Sequence, residues 1–268
     1  MVAAGVWSVP DPGQAEWLPV LDIPEPAPQR RLTVLLRWLL LLPQFVVLWV
    51  LSIVATLAAI VGWFAALFTG RLPEPVAGFL AGYVGYQARV AASAMLLVDR
   101  YPPFSLAAPA GHPVQIELRP GRLNRLAVLF RLILMFPAVI IESLVSSGWF
   151  ALSFLIWLVV LITGRLPRPL FEATAATLRY SVRLNSYVLM LTSAYPKHLF
   201  GDAALYPATE QVYSATRPLR LSGWGTAFLV LFLLAGIGSD IASSFGTTSG
   251  DSSNPAVRTA HVTGHRAR

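Results

Sequence analysis

Thr69-Gly70-Arg71-Leu72-Pro73-Glu74-Pro75 returns 94 residues later as Thr163-Gly164-Arg165-Leu166-Pro167-Arg168-Pro169, with six residues of seven identical. The register holds without a gap from residues 19–102 onto 113–196, with 25 identities over 84 positions. Arg31, Arg37, Pro43, Trp63, Arg89, Tyr101 and Pro102 fall on Arg125, Arg131, Pro137, Trp157, Arg183, Tyr195 and Pro196. A shared apolar bias does not align turn residues in this way, so one unit is used twice. In each copy the glycine (Gly70, Gly164) suits a helix C-cap and the proline (Pro73, Pro167) stops the helix. The arginine (Arg71, Arg165) lies at the negative end of the helix dipole, as an interface anchor.

The stretches before these turns lie beyond the range of a soluble domain. The 268 residues are 56% hydrophobic and 12% charged, with a mean hydropathy of +0.63. Residues 38–68 carry no charge and 132–163 carry only Glu142; both exceed the roughly 20 apolar residues that cross a hydrocarbon core. The composition implies an integral membrane protein. The first 30 residues hold six prolines and no run resembling a signal-peptide core. Cysteine is absent, which excludes disulfides, thiolate zinc sites and cysteine nucleophiles. Nineteen of the 20 basic residues are arginine, a bias of GC-rich bacterial genomes. The net charge of +7 gathers at the ends of apolar segments, so anionic lipid headgroups are the expected partner, beside a membrane protein partner, and nucleic acid is not.

The expected fold is all-α and membrane-embedded: two tandem helical hairpins plus a C-terminal transmembrane helix, with a short β arm before each hairpin. Residues 1–18 read as a disordered N-terminus, 19–106 as repeat 1, 107–112 as a linker and 113–200 as repeat 2. A polar loop (201–220), the last apolar helix (221–242) and a disordered Ser, Thr, Gly and Arg rich tail (243–268) follow. The arms at 19–23 and 113–118 are expected to meet as strands. Basic lead-ins run to Pro43 and Pro137, which kink or start a helix. Spans of 25 residues, 44–68 and 138–162, lead into the turns.

The second helices, 76–98 and 170–192, carry charges; crossing is favoured over lying at the surface. Five crossings then result, with the two repeats parallel. Eleven basic residues fall on one side against Arg71, Arg165 and Arg168 on the hairpin tips, and the positive-inside rule makes the larger group and the N-terminus cytoplasmic, in a multi-pass protein of the bacterial inner membrane. A rival reading breaks each long stretch into a re-entrant hairpin, for example at Ser146-Ser147-Gly148.

Charges inside apolar segments are costly and mark the candidate polar site. Arg89 and Arg183 are equivalent by repeat, and on a helix Glu172, Arg179, Arg183 and Ser186 share one face. The matching face of copy one is Gly78, Gly85 and Arg89, and the two faces are expected to pack together, with Arg183 pairing with Glu172 or nearby carbonyls. No hydrolase, metalloprotease or nucleotide motif occurs. His261 and His265 have metal-like spacing but sit in the polar tail, where a solvated tail is the better reading. No catalytic, cofactor-binding or metal residue is assigned.

The arm, the basic lead-in ending in proline, the TGRLP turn, the Arg-bearing segment and the closing Tyr101-Pro102-Pro103-Phe104-Ser105-Leu106 together resemble the bacterial membrane family catalogued as domain of unknown function 4389. The resemblance covers residues 19–106 and 113–200. The second copy departs at Tyr195-Pro196-Lys197-His198-Leu199-Phe200. What the resemblance implies is an integral membrane protein, with no established activity and no catalytic residue to carry over. The expected role is non-enzymatic: a membrane-organising, lipid-interacting or partner-binding component. The rivals are a small transporter or channel for an anionic solute, using Arg89 and Arg183, and a lipid-modifying enzyme.

Overall fold

The computed structural model describes residues 18–107, 109, 111–118, 121, 123–202 and 214–248. The N-terminal stretch, most of the polar loop, and the tail with His261 and His265 lie outside the described residues. Strand β1 (Val20–Asp22) is followed by α1 (Arg31–Leu35), α2 (Arg37–Thr69) and α3 (Glu74–Ala94). The second copy repeats the order as β2 (Gln115–Glu117), α4 (Arg125–Leu129), α5 (Arg131–Leu134), α6 (Phe136–Thr163) and α7 (Arg168–Val188). Helix α8 (Gly223–Thr248) closes the described chain and runs past the expected end at 242.

The repeated turn works as its residues dictate. Gly70 and Gly164 adopt left-handed φ values of 71° and 73°, and their N–H groups close onto the Ala66 and Val160 carbonyls. A side chain there would be strained, which is why glycine occupies both caps. Thr69 and Thr163 each accept the amide of the following arginine. Pro73 and Pro167 are then the extended N-caps of α3 and α7, with Pro75 and Pro169 in the first turn, where a missing amide costs nothing.

Pro43 does not start a helix: it lies inside α2, and the break falls earlier, at Leu36 (φ −92°, ψ 7°), whereas Pro137 lies in the first turn of α6, as expected. Phe130, its equivalent, breaks the second copy in the same way. The lead-ins are therefore helical, and α1 and α4 are short helices broken from those that follow at Leu36 and Phe130.

The arms do meet. β1 and β2 form an antiparallel ladder with Leu21 opposite Ile116 and Asp22 opposite Gln115. Under the 94-residue offset these two pairs exchange, so a pseudo-twofold axis passes between them. The same axis governs the helix ends. The Gln29 amide donates to the Gly164 carbonyl (2.7 Å) and the Leu123 amide to the Gly70 carbonyl (3.0 Å). Trp157 Nε1 donates to the Val34 carbonyl (2.8 Å), and Trp63 Nε1 to the Val128 carbonyl (3.1 Å). As the chain advances through 29, 31 and 34, its partners retreat through 164, 162 and 157. Helices α2 and α6 consequently run in opposite directions, each starting beside the other's end. These reciprocal contacts relate the two copies by the same pseudo-twofold axis.

Because the two indole bonds are equivalent, Trp63→Phe and Trp157→Phe are each expected to cost about 1 kcal/mol. Thermal unfolding in detergent would report it; unequal losses would break the symmetry argument.

Among the described residues, three helices are long and apolar enough to cross a membrane: α2, the continuous α5 and α6 run (Arg131–Thr163), and Gly223–Ser243 of α8. α3 and α7, which the five expected crossings include, do not meet that measure of length and apolarity. Instead they form the protein's interior, and α7 is buried along nearly its whole length. The predicted helix over residues 177–185, whose residues alternate like a strand, is helical as expected. The predicted packing of a glycine face is corrected: Gly78 has open space and Gly85 faces Arg89 of its own helix. Where α3 meets α7, Asn185 Nδ2 donates to Gln87 Oε1 (3.2 Å).

Close helix approach occurs elsewhere. A Cβ on Gly148 of α6 would lie 1.7 Å from the Phe232 carbonyl oxygen, and one on Gly236 of α8 would lie 2.0 Å from that of Leu144. The two backbones touch at this crossing, and α8 is seated on the second hairpin. The re-entrant break imagined at residues 146–148 is an unbroken helix with that glycine contact.

Candidate functional site: a buried arginine layer

Each repeat places buried arginines between its helices and the segment that follows them. Arg183 and Arg179 are both 2% exposed and converge on Asp202, itself 6% exposed. Arg179 Nη1 donates to Asp202 Oδ2 (2.6 Å) and Arg183 Nη2 to Oδ1 (3.0 Å). Two cations share one carboxylate, and carbonyl oxygens meet the remaining donors: His198 for Arg179, and Lys197 and Pro19 for Arg183. The Leu219 amide also donates to Asp202, so the triad ties α7 to the loop before α8. Buried charge is tolerated because nearly every donor is used.

Arg89 is not part of this triad. It reaches the Ser105 carbonyl, the closing segment of its own repeat. The expectation that carbonyls serve as partners therefore holds for Arg89 and Arg183, and Glu172 as the partner of Arg183 is corrected. Glu172 instead accepts from the Ser222 amide (2.7 Å) and hydroxyl (2.6 Å), directly before α8, with Arg168 at 3.5 Å. An acid at a helix N-terminus is favourable for that helix. Glu172, Arg179 and Arg183 do share a face, as helical spacing implied, but two different neighbours cover it.

A second equivalent pair was visible in the repeat without a role. Arg37 donates to Ser93 Oγ, the Val98 carbonyl, Gln29 Oε1 and Asp99. Arg131 donates to the Tyr187 and Thr192 carbonyls and stacks over the Tyr187 ring at 4.2 Å. Val98 and Thr192 are again 94 apart, so both arginines close their hairpin by holding its end to its beginning. Glu142, the odd charge of the second copy, accepts from Ser146 and Ser181. In the first copy Tyr86 donates to Gln44, whose amide bonds the Pro102 carbonyl.

On the ladder, Arg217 bridges Asp22 (3.3 Å) and Glu117 (3.1 Å), linking the two arms to the segment before α8. His112, beside the second arm, is held below the usual imidazole range chiefly by burial. A polar cleft lined by Glu25, Arg168, Glu172, Ser214, Arg217 and Arg220 opens alongside. An apolar groove lies between α1, α2 and α6, lined by Leu35, Trp38, Phe150, Phe154 and Trp157. Arg71 and Arg165 are exposed on the hairpin tips.

Sequence reasoning missed Asp202, Ser222 and Arg217, which lie in the unrepeated loop where no internal comparison singles them out. Among the described residues, no cluster of three or more metal-ligating side chains occurs. The family described as Domain of unknown function (DUF4389) matches residues 31–105 and 125–199. No curated protein and no solved structure matches the chain.

Proposed function

This chain belongs to the DUF4389 family, whose domain it carries twice, and from that premise we propose a non-enzymatic, lipid-interacting component that organises the membrane around it. We assign it to the bacterial inner membrane with its N-terminus on the cytoplasmic side, where the arginine-rich surface meets anionic headgroups. The observation that carries this reading is the surface of α2. Except for one stripe turned toward α3, it exposes apolar residues on all sides, among them Trp49, Ile53, Leu57, Val61 and Phe68. A helix of this kind needs hydrocarbon around it. The groove between α2 and α6 is apolar and aromatic-lined, as an acyl chain requires, and Arg168 and Arg220 are exposed beside the polar cleft.

The rival transporter reading uses Arg89 and Arg183 as anion ligands. Each guanidinium is engaged by carbonyls or Asp202 and would have to release a protein partner before meeting a solute. That cost favours a structural role for them.

The test is the lipid that copurifies in mild detergent. Anionic phospholipid is expected to be enriched over its share of the membrane, and Arg168→Gln with Arg220→Gln to reduce the enrichment several-fold. Copurified lipid matching the bulk membrane for both proteins would defeat the proposal.

A further inference from the structure

We infer that α2, α6 and α8 lie along the plane of the membrane within one leaflet, with the pseudo-twofold axis parallel to the membrane normal. The inference rests on the membrane-embedded reading above and fixes its geometry. Length and apolarity allow a helix to cross a bilayer, but they are met equally by a helix immersed along it.

The neighbours of α7 show which side of the molecule is which. Ser181 donates to Glu142 of α6, while Arg179, two residues earlier, donates to Asp202. Two residues on a helix point about 160° apart, so the segment holding Asp202 covers α7 on the side away from α6. β1 belongs to that cover as well, since the Pro19 carbonyl accepts from Arg183. The molecule thus has three levels. The long apolar helices form a base, α3 and α7 form a middle, and the arms with the connecting segments form a polar roof. Exposed residues of the base include Trp49, Ile53, Phe150, Phe154 and Ile237, and the roof carries Asp22, Glu25, Glu117 and Arg217.

Now consider the helices set along the membrane normal. Base and roof would then be two flanks of one bundle, both facing hydrocarbon. The twofold axis passes through the β ladder, so the ladder is equidistant from the two ends. Glu117 (34% exposed) and Arg217 (22% exposed) would sit near mid-depth in lipid, where charge is expensive. The path of the chain raises a second difficulty. α3 returns to the start of α2, where Arg37 holds Ser93 and Val98. Yet α4 begins at the far end, beside Gly70 and Trp63. The described residues of the link between them, from 95 to 124, form no helix and one three-residue strand, and they would have to traverse the bilayer as irregular backbone, which is not tolerated where it meets lipid.

Lying in the plane removes both difficulties. The roof meets water, the described connecting segments stay on one face, and the arginines of both hairpin tips join the other charges there. α2 is about 50 Å long at 1.5 Å per residue, well over the roughly 30 Å of a hydrocarbon core, and in the plane it needs no matching thickness. A body that displaces acyl chains in one leaflet only also gives the membrane-organising role a physical means, since such wedges respond to curvature.

The chain has no cysteine, so single probes are available. Arg71 and Arg165 mark opposite ends of the antiparallel helices. Arg71→Cys and Arg165→Cys, each in the full chain, are treated with a membrane-impermeant maleimide in spheroplasts and in inverted vesicles, and the membranes are washed with alkaline carbonate. Both cysteines are expected to react from a single face, with the protein retained by the wash. Reaction of one cysteine from each face would overturn the in-plane geometry while leaving the membrane-embedded reading intact. Release of the protein by the wash would overturn that underlying reading.

Discussion

Asp202→Asn is expected to lower the unfolding free energy by about 3–5 kcal/mol, the cost of stranding a buried ionic partner. The change keeps the shape of the side chain and removes only its charge, so packing is not the cause. Two guanidiniums, each 2% exposed, then face each other without an anion. In detergent the apparent unfolding midpoint is expected to fall on the order of 10 °C for a chain of this size. A double-mutant cycle sharpens the result. Arg183→Leu alone is destabilising, and combined with Asp202→Asn it is expected to cost less than the sum of the two, by about 1 kcal/mol or more. The same cycle between Arg183→Leu and Glu172→Leu should be additive, because Glu172 serves Ser222 instead. Additivity in the first cycle would remove Asp202 as the partner.

Gly148→Val carries the second large effect. Its Cβ would collide with the Phe232 carbonyl of α8, and because the obstacle is backbone, no rotamer change relieves it. Overpacking usually costs about 1–3 kcal/mol and occasionally more; here the whole of α8 must move. Hydrogen exchange is the informative measurement, since amide protection should fall across residues 223–243 while α2 and α3 keep theirs. The equivalent residue of the first repeat is Val54, exposed on α2, and Val54→Leu is expected to leave both helices unchanged. Protection of α8 that survives Gly148→Val would mean that the crossing does not hold it.

What the sequence made legible was local chemistry. The left-handed glycine, the proline that follows it and the alternating arm can each be read from one copy, because backbone sterics and side-chain period act within a few residues. The relation between the copies was not legible. The Trp157 to Val34 bond joins residues 123 positions apart, and neither partner announces the other. The stripe of Glu172, Arg179 and Arg183 was correct as a face and wrong as a pairing, because its cover comes from the one loop without a repeat. The glycines misled for a related reason. Small residues permit contact without compelling it, and among the described glycines Gly148 and Gly236 make the closest approaches to another backbone.

The exchanged contacts of Trp63 and Trp157 also bear on descent. In each half the indole donor and the tip carbonyl are satisfied by the opposite half, so a polypeptide with a single copy would present these groups outward with no internal acceptor or donor for them. An identical chain supplies both at once, through a dyad and a shared two-stranded ladder. A homodimer of single-domain subunits is therefore the natural forerunner of this molecule, and fusion of its genes would have freed the halves to differ. Gly148 and its equivalent Val54 already differ in this way, for the glycine admits α8 against the second hairpin and the valine is exposed on the first.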